Sequence, residues 1–343
     1  MENETPLLRG LRAAILASAA LLALSCGRSG PGYTEEDAAD FREWMGEGRP
    51  SPARLIAGAH DSGAAVILLQ DDAMRADTED LAKGLLPALY DAGIREWGVF
   101  FMESGEQDEL DALVSGGPVS GGAAEAESAK ELLLAADASL GYAEYLDFLL
   151  YVRQFNAELG ENEPKVRILG LSSDRAPDPS ALEAAETAGN AEASGGETPE
   201  TAASPFTGIL WVLSDSLSAF VEAPGVADPY VVAHYRPRGD IIGEESARYD
   251  LRDRTFAFET ASPPFGGWAA GPAESEADLI VVTPFADRAV RPIPAFIGPE
   301  TSAAAARDFP EVRIKNHPSW AASRMNRLLT KRSNRYRKTI ERP

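Results

Sequence analysis

The chain has 343 residues, 44% of them hydrophobic, and a formal net charge of −22. That length supports one large α/β domain or two smaller ones. Acidity on this scale repels phosphates, so no nucleic-acid partner is expected, and a single cysteine excludes both an internal disulfide and a thiolate zinc site.

In chain order, Arg9 and Arg12 precede an uncharged apolar run, Ala13 to Leu24. At about twelve residues the run is too short to span a bilayer of about 30 Å, and it fits the core of a signal peptide. It ends in Leu22-Ala23-Leu24-Ser25-Cys26-Gly27, which resembles the lipobox of bacterial lipoproteins. Ser25 supplies the small residue, while Leu22 stands one place earlier than the usual leucine. The resemblance implies removal of residues 1–25 and acylation of Cys26. The mature chain would then be anchored to a membrane of the bacterial cell envelope, outside the cytoplasm.

Residues 26–52 read as a tether grading into a helix. Thr34-Glu35-Glu36-Asp37 forms a cap with acids in the first turn, and Phe41, Trp44 and Met45 form an apolar stripe. Pro52 to Ser62 is a short helix. Ala64 to Leu69 is a continuous apolar run, the pattern of a strand buried on both faces. Thr78 to Ala92 is an amphipathic helix stopped at Gly93, and Trp97 to Met102 is the next buried strand, ending at Glu103. Strand, helix and strand in this order predict a parallel sheet. Gly116 to Ala124 is a loop, Leu140 to Leu159 a long helix and Val166 to Leu169 a third strand. Asp174 to Ser204 is poor in large apolar residues and reads as a disordered insertion. Further strands are Ile209 to Leu213, Tyr230 to Ala233, Thr255 to Phe258 and Leu279 to Thr283. Ser319 to Arg342 is a basic amphipathic helix or tail. The expected architecture is one α/β domain over 53–312, a mixed, mainly parallel sheet flanked by helices. The signal peptide and tether precede it, and a basic tail over 313–343 follows.

In open parallel sheets, ligands bind beyond the carboxyl ends of the strands. Four such ends are polar: Gln70-Asp71-Asp72, Glu103, Ser172-Ser173-Asp174 and Ser214-Asp215-Ser216. If the strands are neighbours, these groups share one crevice, where close carboxylates serve as acid and base or hold a cation. The competing reading is that Asp and Ser follow strands to cap the next helix. His60, His234 and His317 have no HxH or HExxH partner and read as structural or surface residues. No GxGxxG, P-loop or GxSxG motif is present.

The segments VILLQDD, the helix ending Asp91-Ala92-Gly93, WGVFFMESG, FLLYVRQFN ending at Asn156, VRILGLSSD and ADLIVVTPFADRAVRPIPAFI carry a resemblance. Their order is similar to the erythromycin esterase-like and ChaN-like superfamily, with its Tiki and TraB relatives, from about Leu55 to Pro299. The resemblance implies an α/β fold with either hydrolase activity or haem or cation binding. It leaves only Glu103 intact among the motif residues. Asp71 stands for a glutamate, a histidine position falls on Asp72 or Ala73, and an aspartate falls on Ser172 with Asp174 displaced. The histidine expected after the fourth strand falls among Ser216 and Leu217. The expected function is therefore a non-catalytic envelope lipoprotein that binds a small ligand or an envelope protein through Gln70, Asp72, Asn156, Ser172, Asp174, Ser214 and Asp215. The alternative is a carboxylate-dependent hydrolase, with or without a metal ion, using Asp71 and Glu103.

Overall fold

The computed structural model describes residues 33–47, 51–71, 75–115, 122–173, 176–177, 182, 206–223, 226–235, 240–248, 255–263, 268, 275–283, 290–309, 311–312 and 318–340. Cys26, Asp72, Asp174 and all but three residues of the expected insertion lie outside them.

Eight strands form one sheet: β1 (Val66–Asp71), β2 (Glu96–Glu103), β3 (Arg167–Ser173), β4 (Ala176–Pro177), β5 (Gly208–Leu213), β6 (Tyr230–His234), β7 (Phe256–Glu259) and β8 (Leu279–Val282). Their order is β4-β3-β2-β5-β1-β6-β8-β7. The six inner strands run parallel, and β4 and β7 pair antiparallel at the two edges. The fold is thus a mixed, mainly parallel α/β sheet. β1 sits near its middle, which explains the unbroken apolar run from Val66 to Leu69: side chains alternate between two cores, and neither face is wet. Ile67 and Leu69 enter one core, Val66 and Leu68 the other.

The helices divide between those cores. On the first face lie α2 (Pro52–Asp61), α3 (Asp77–Asp91), α4 (Gln107–Val114), α5 (Gly122–Asp137) and α6 (Ala143–Glu158). On the second lie α1 (Glu35–Gly46), α7 (Leu217–Val221) and α8 (Ile241–Arg248). The short α9 (Ser302–Ala305) and the long α10 (Pro318–Ile340) complete the first layer. Two boundaries therefore move. The segment expected as a tether packs Phe41 and Met45 into the second core. The segment expected as a tail outside the domain packs Ala321, Ala322, Met325 and Leu329 into the first. Helix α1 begins with a capping box between Thr34 and Asp37, as its sequence indicates. A half-buried ion pair, Arg42 to Glu245 at 2.7 Å, fastens it to α8.

β2 and β3 approach very closely where the register shifts between Val99 and Glu103. A Cβ on Gly170 would lie 2.4 Å from the Glu103 carbonyl oxygen, so glycine is required there. Beyond β3, the Gln107 amide donates to Ile168 O at 2.7 Å and accepts from Gly170 N at 3.2 Å.

Asn156, expected among the binding residues, is a structural residue instead. It is fully buried where β3 begins, at the end of the sheet opposite the polar strand tips. Its amide donates to Val114 O (2.7 Å) and Val166 O (2.8 Å) and accepts from Val166 N (2.8 Å). Replacement by alanine orphans these buried backbone groups. Asn156→Ala is expected to lower unfolding stability by about 3 kcal/mol in urea titration.

Candidate functional site

The four polar strand ends do belong to adjacent strands, in the order β3, β2, β5, β1. They do not form a carboxylate pair. Asp71 and Glu103 are separated by β5, two inter-strand spacings or roughly 10 Å between backbones, too far to share a proton. Asp71 also points into the protein. Its carboxylate accepts from Trp211 Nε1 at 2.8 Å and from Thr78 Oγ1 at 3.2 Å, and only 1% of the residue is exposed. Glu103 is half-buried and Asp215 exposed. Ser172 donates to Phe100 O (2.5 Å) and Ser214 to Asp71 O (3.0 Å), so both hydroxyls stitch neighbouring strands together. Gln70 is buried on the face opposite Asp71. The expected dyad is corrected to a set of structural ties.

The polar groups that do converge lie on the other side of β1. Helix α3 leaves β1 toward the first core, whereas α7 and α8, which follow β5 and β6, pack against the second. Connections diverging this way open a crevice at the carboxyl ends of β1 and β6. There Asp77, first residue of α3, receives Arg75 Nε at 2.9 Å and a second bond from Arg75 Nη2, in a fork-like pairing. Thr283, just past β8, donates to the same carboxylate at 2.5 Å. His234, last residue of β6, places Nδ1 3.8 Å from it. Arg75 Nη1 reaches Tyr235 O at 3.3 Å. Asp77, Arg75 and His234 are each less than 10% exposed. Burial pushes the Asp77 carboxyl up. The Arg75 guanidinium, with help from His234 and Thr283, overrides that and holds it well below the usual carboxylate range.

An imidazole facing a carboxylate through Nδ1 has the build of an oriented base. Here the carboxylate is already neutralised by Arg75, so the cluster works first as a lock joining the β1–α3 connection, the start of α3, the end of β6 and the residue after β8. Sequence reasoning passed over these residues because the strand-end rule was applied to four strands only. Extended to β6 and β8, it selects His234 and Thr283.

Asp77 and Thr283 also form one end of a cavity of about 580 Å³. Ser51, Asp80 and Thr255 add polar groups, while Pro52, Leu81, Leu85 and Ala88 supply an apolar wall. The volume falls in the range of small-molecule sites. Among the described residues, no group of three or more His, Cys, Asp or Glu could hold a metal ion. Among the described residues, Asp71 is committed internally and the strand tips do not assemble the donors for the divalent cation that the family resemblance implied. His234, at the end of β6, lies in the buried Arg75–Asp77 cluster and is not presented as an axial ligand for haem.

No family model matches the chain, and no curated protein matches it. Among solved structures, the fold is similar to "The structure of the type III effector HopBA1", over 68% of this chain and 94% of that one, at 14% identity and a TM-score of 0.41.

Removing the Asp77 charge strands a buried guanidinium. Asp77→Asn is expected to cost about 3–5 kcal/mol of unfolding stability. The sign with pH follows from the lowered carboxyl. Its contribution is complete above the unfolded-state value of about 4 and is lost as pH falls below that. Urea titrations from neutral pH downward are expected to show a steeper acid loss for the native chain than for Asp77→Asn.

Proposed function

We propose that the chain is a lipid-anchored, ligand-binding protein of the bacterial cell envelope, a degenerate relative of the esterase-like fold that works by binding rather than hydrolysis. The observation that carries the binding reading is the cavity between α2, α3 and β8. Its apolar wall and its oxygen-rich end suit a small molecule with an aliphatic body and a hydrogen-bond-donating head. The anchor rests on the sequence around Cys26. Among the described residues no helix is long and apolar enough to cross a membrane. The committed hydrogen bonds of Asp71 and its distance from Glu103 support binding over carboxylate hydrolysis.

Two measurements test this. Cells fed labelled palmitate are expected to label the native chain in the membrane fraction, while Cys26→Ala loses the label and becomes soluble. A labelled, membrane-bound Cys26→Ala would overturn the anchor. For the cavity, Gly84 is useful because it lies on the wall and an added Cβ there meets nothing within 4 Å. Gly84→Trp fills the space with little cost to the fold. Native mass spectrometry of the detergent-extracted protein is expected to show a co-purifying small molecule that Gly84→Trp lacks. The same bound mass in both proteins would place the ligand elsewhere.

A further inference from the structure

Helix α10 has a charge distribution unlike the rest of the molecule. It holds seven of the chain's 32 Lys and Arg and none of its 54 Asp and Glu. One side is fixed to the body. Ala321, Met325 and Leu329 are buried, Ser333 donates to Val290 O at 2.7 Å, and the Asn326 amide bonds both the N–H and the carbonyl of Ile297. The opposite side carries Arg324, Arg327, Lys331 and Arg335, all exposed. Spacings of three and four residues align them in one ridge along the helix. They line a groove of about 660 Å³ together with Thr330 and Asn334. Arg332, on the flank, pairs with Glu311 at 3.4 Å and lies over the Phe309 ring.

We propose that this ridge is a docking surface for the phosphate groups of anionic phospholipids, and that it sets the face the protein turns to its membrane. The inference rests on the anchored reading above, which keeps the protein at a bilayer. The net charge of −22 means an anionic surface repels the molecule in most orientations. Turning α10 toward the lipid brings its cations within a Debye length of about 8 Å, where screening no longer removes the attraction. The buried opposite side of the helix keeps the ridge on the outer surface. Among the described residues, the groove's lining has Leu328 as its apolar member and no aromatic residue of the kind that anchors protein interfaces. Guanidinium, ammonium, hydroxyl and amide donors match phosphate oxygens.

The test uses the full chain carrying Cys26→Ser, so that binding cannot come from an acyl group. It is sedimented with vesicles of phosphatidylcholine alone and of phosphatidylcholine mixed with an equal amount of phosphatidylglycerol. Binding to the mixed vesicles that exceeds binding to phosphatidylcholine and fades with added salt is expected. Each cation near such a surface gains about fivefold in partitioning. The double variant Arg327→Glu, Lys331→Glu is therefore expected to lose about thirtyfold or more, with thermal unfolding unchanged, and Arg327→Gln, Lys331→Gln a similar fraction without repulsion. Equal binding to both vesicle types, or full binding by the variants, would overturn the proposal. So would binding of the ridge to soluble polyglutamate but not to the mixed vesicles, which would assign it to an acidic polypeptide. The palmitate experiment reads the anchor separately, so failure of one leaves the other interpretable.

Discussion

The carboxylate of Asp71 is the tie on which the middle of the molecule depends. It terminates β1, accepts the indole N–H of Trp211 from β5 and the hydroxyl of Thr78 from α3, and so joins two strands and the helix after them. A charge held this deep must be met by donors or it destabilises the fold. Trp211 in turn packs edge-on against Phe101 and Phe148, so the hydrogen bond orients one member of an aromatic cluster. One member of the expected catalytic pair is thus held inside the fold by its own hydrogen bonds.

Chemistry at this sheet edge is consequently displaced. With β1 closed by its own ties toward β5, the open side is toward β6 and β8. There Arg75 and Asp77 neutralise each other, and Thr283 and His234 close around them. The cavity begins at the edge of that cluster. At its polar end Thr283 donates to Asp77 and so ties the residue after β8 to α3, a pre-set arrangement that lowers the entropy lost when a ligand binds.

Most of the fold was legible because the central strands are buried on both faces. AAVILL and ILWVL have no other use than as parallel-sheet interior, and Gly93 marks the end of its helix with a positive φ of 94°. Helices α4 and α5 were not legible. The inner face of α5 buries Ala129, Leu132 and Leu133, but the first half of the helix has no large apolar residue to extend that stripe. The site was half legible. That the polar tips of β1, β2, β3 and β5 are neighbours stood in the sequence only as a condition, which the strand order meets. That β5 inserts between β1 and β2 was not legible, since strand order depends on a crossover that leaves no local mark. The meeting of Asp77 with His234, far apart in sequence, was equally invisible.

Gln107 bears on how the molecule behaves in company. β3 would be the last parallel strand on its side, with backbone groups facing outward. The side-chain amide of Gln107 takes the place of a peptide unit against Ile168 and Gly170, and β4 covers the remainder with two residues, one of them Pro177, which has no N–H to offer. A second chain thus finds little template for adding a strand along this edge. On the membrane-anchored proposal above, chains would meet one another far more often than in solution, and a border closed on this side would keep such encounters from growing by strand addition there.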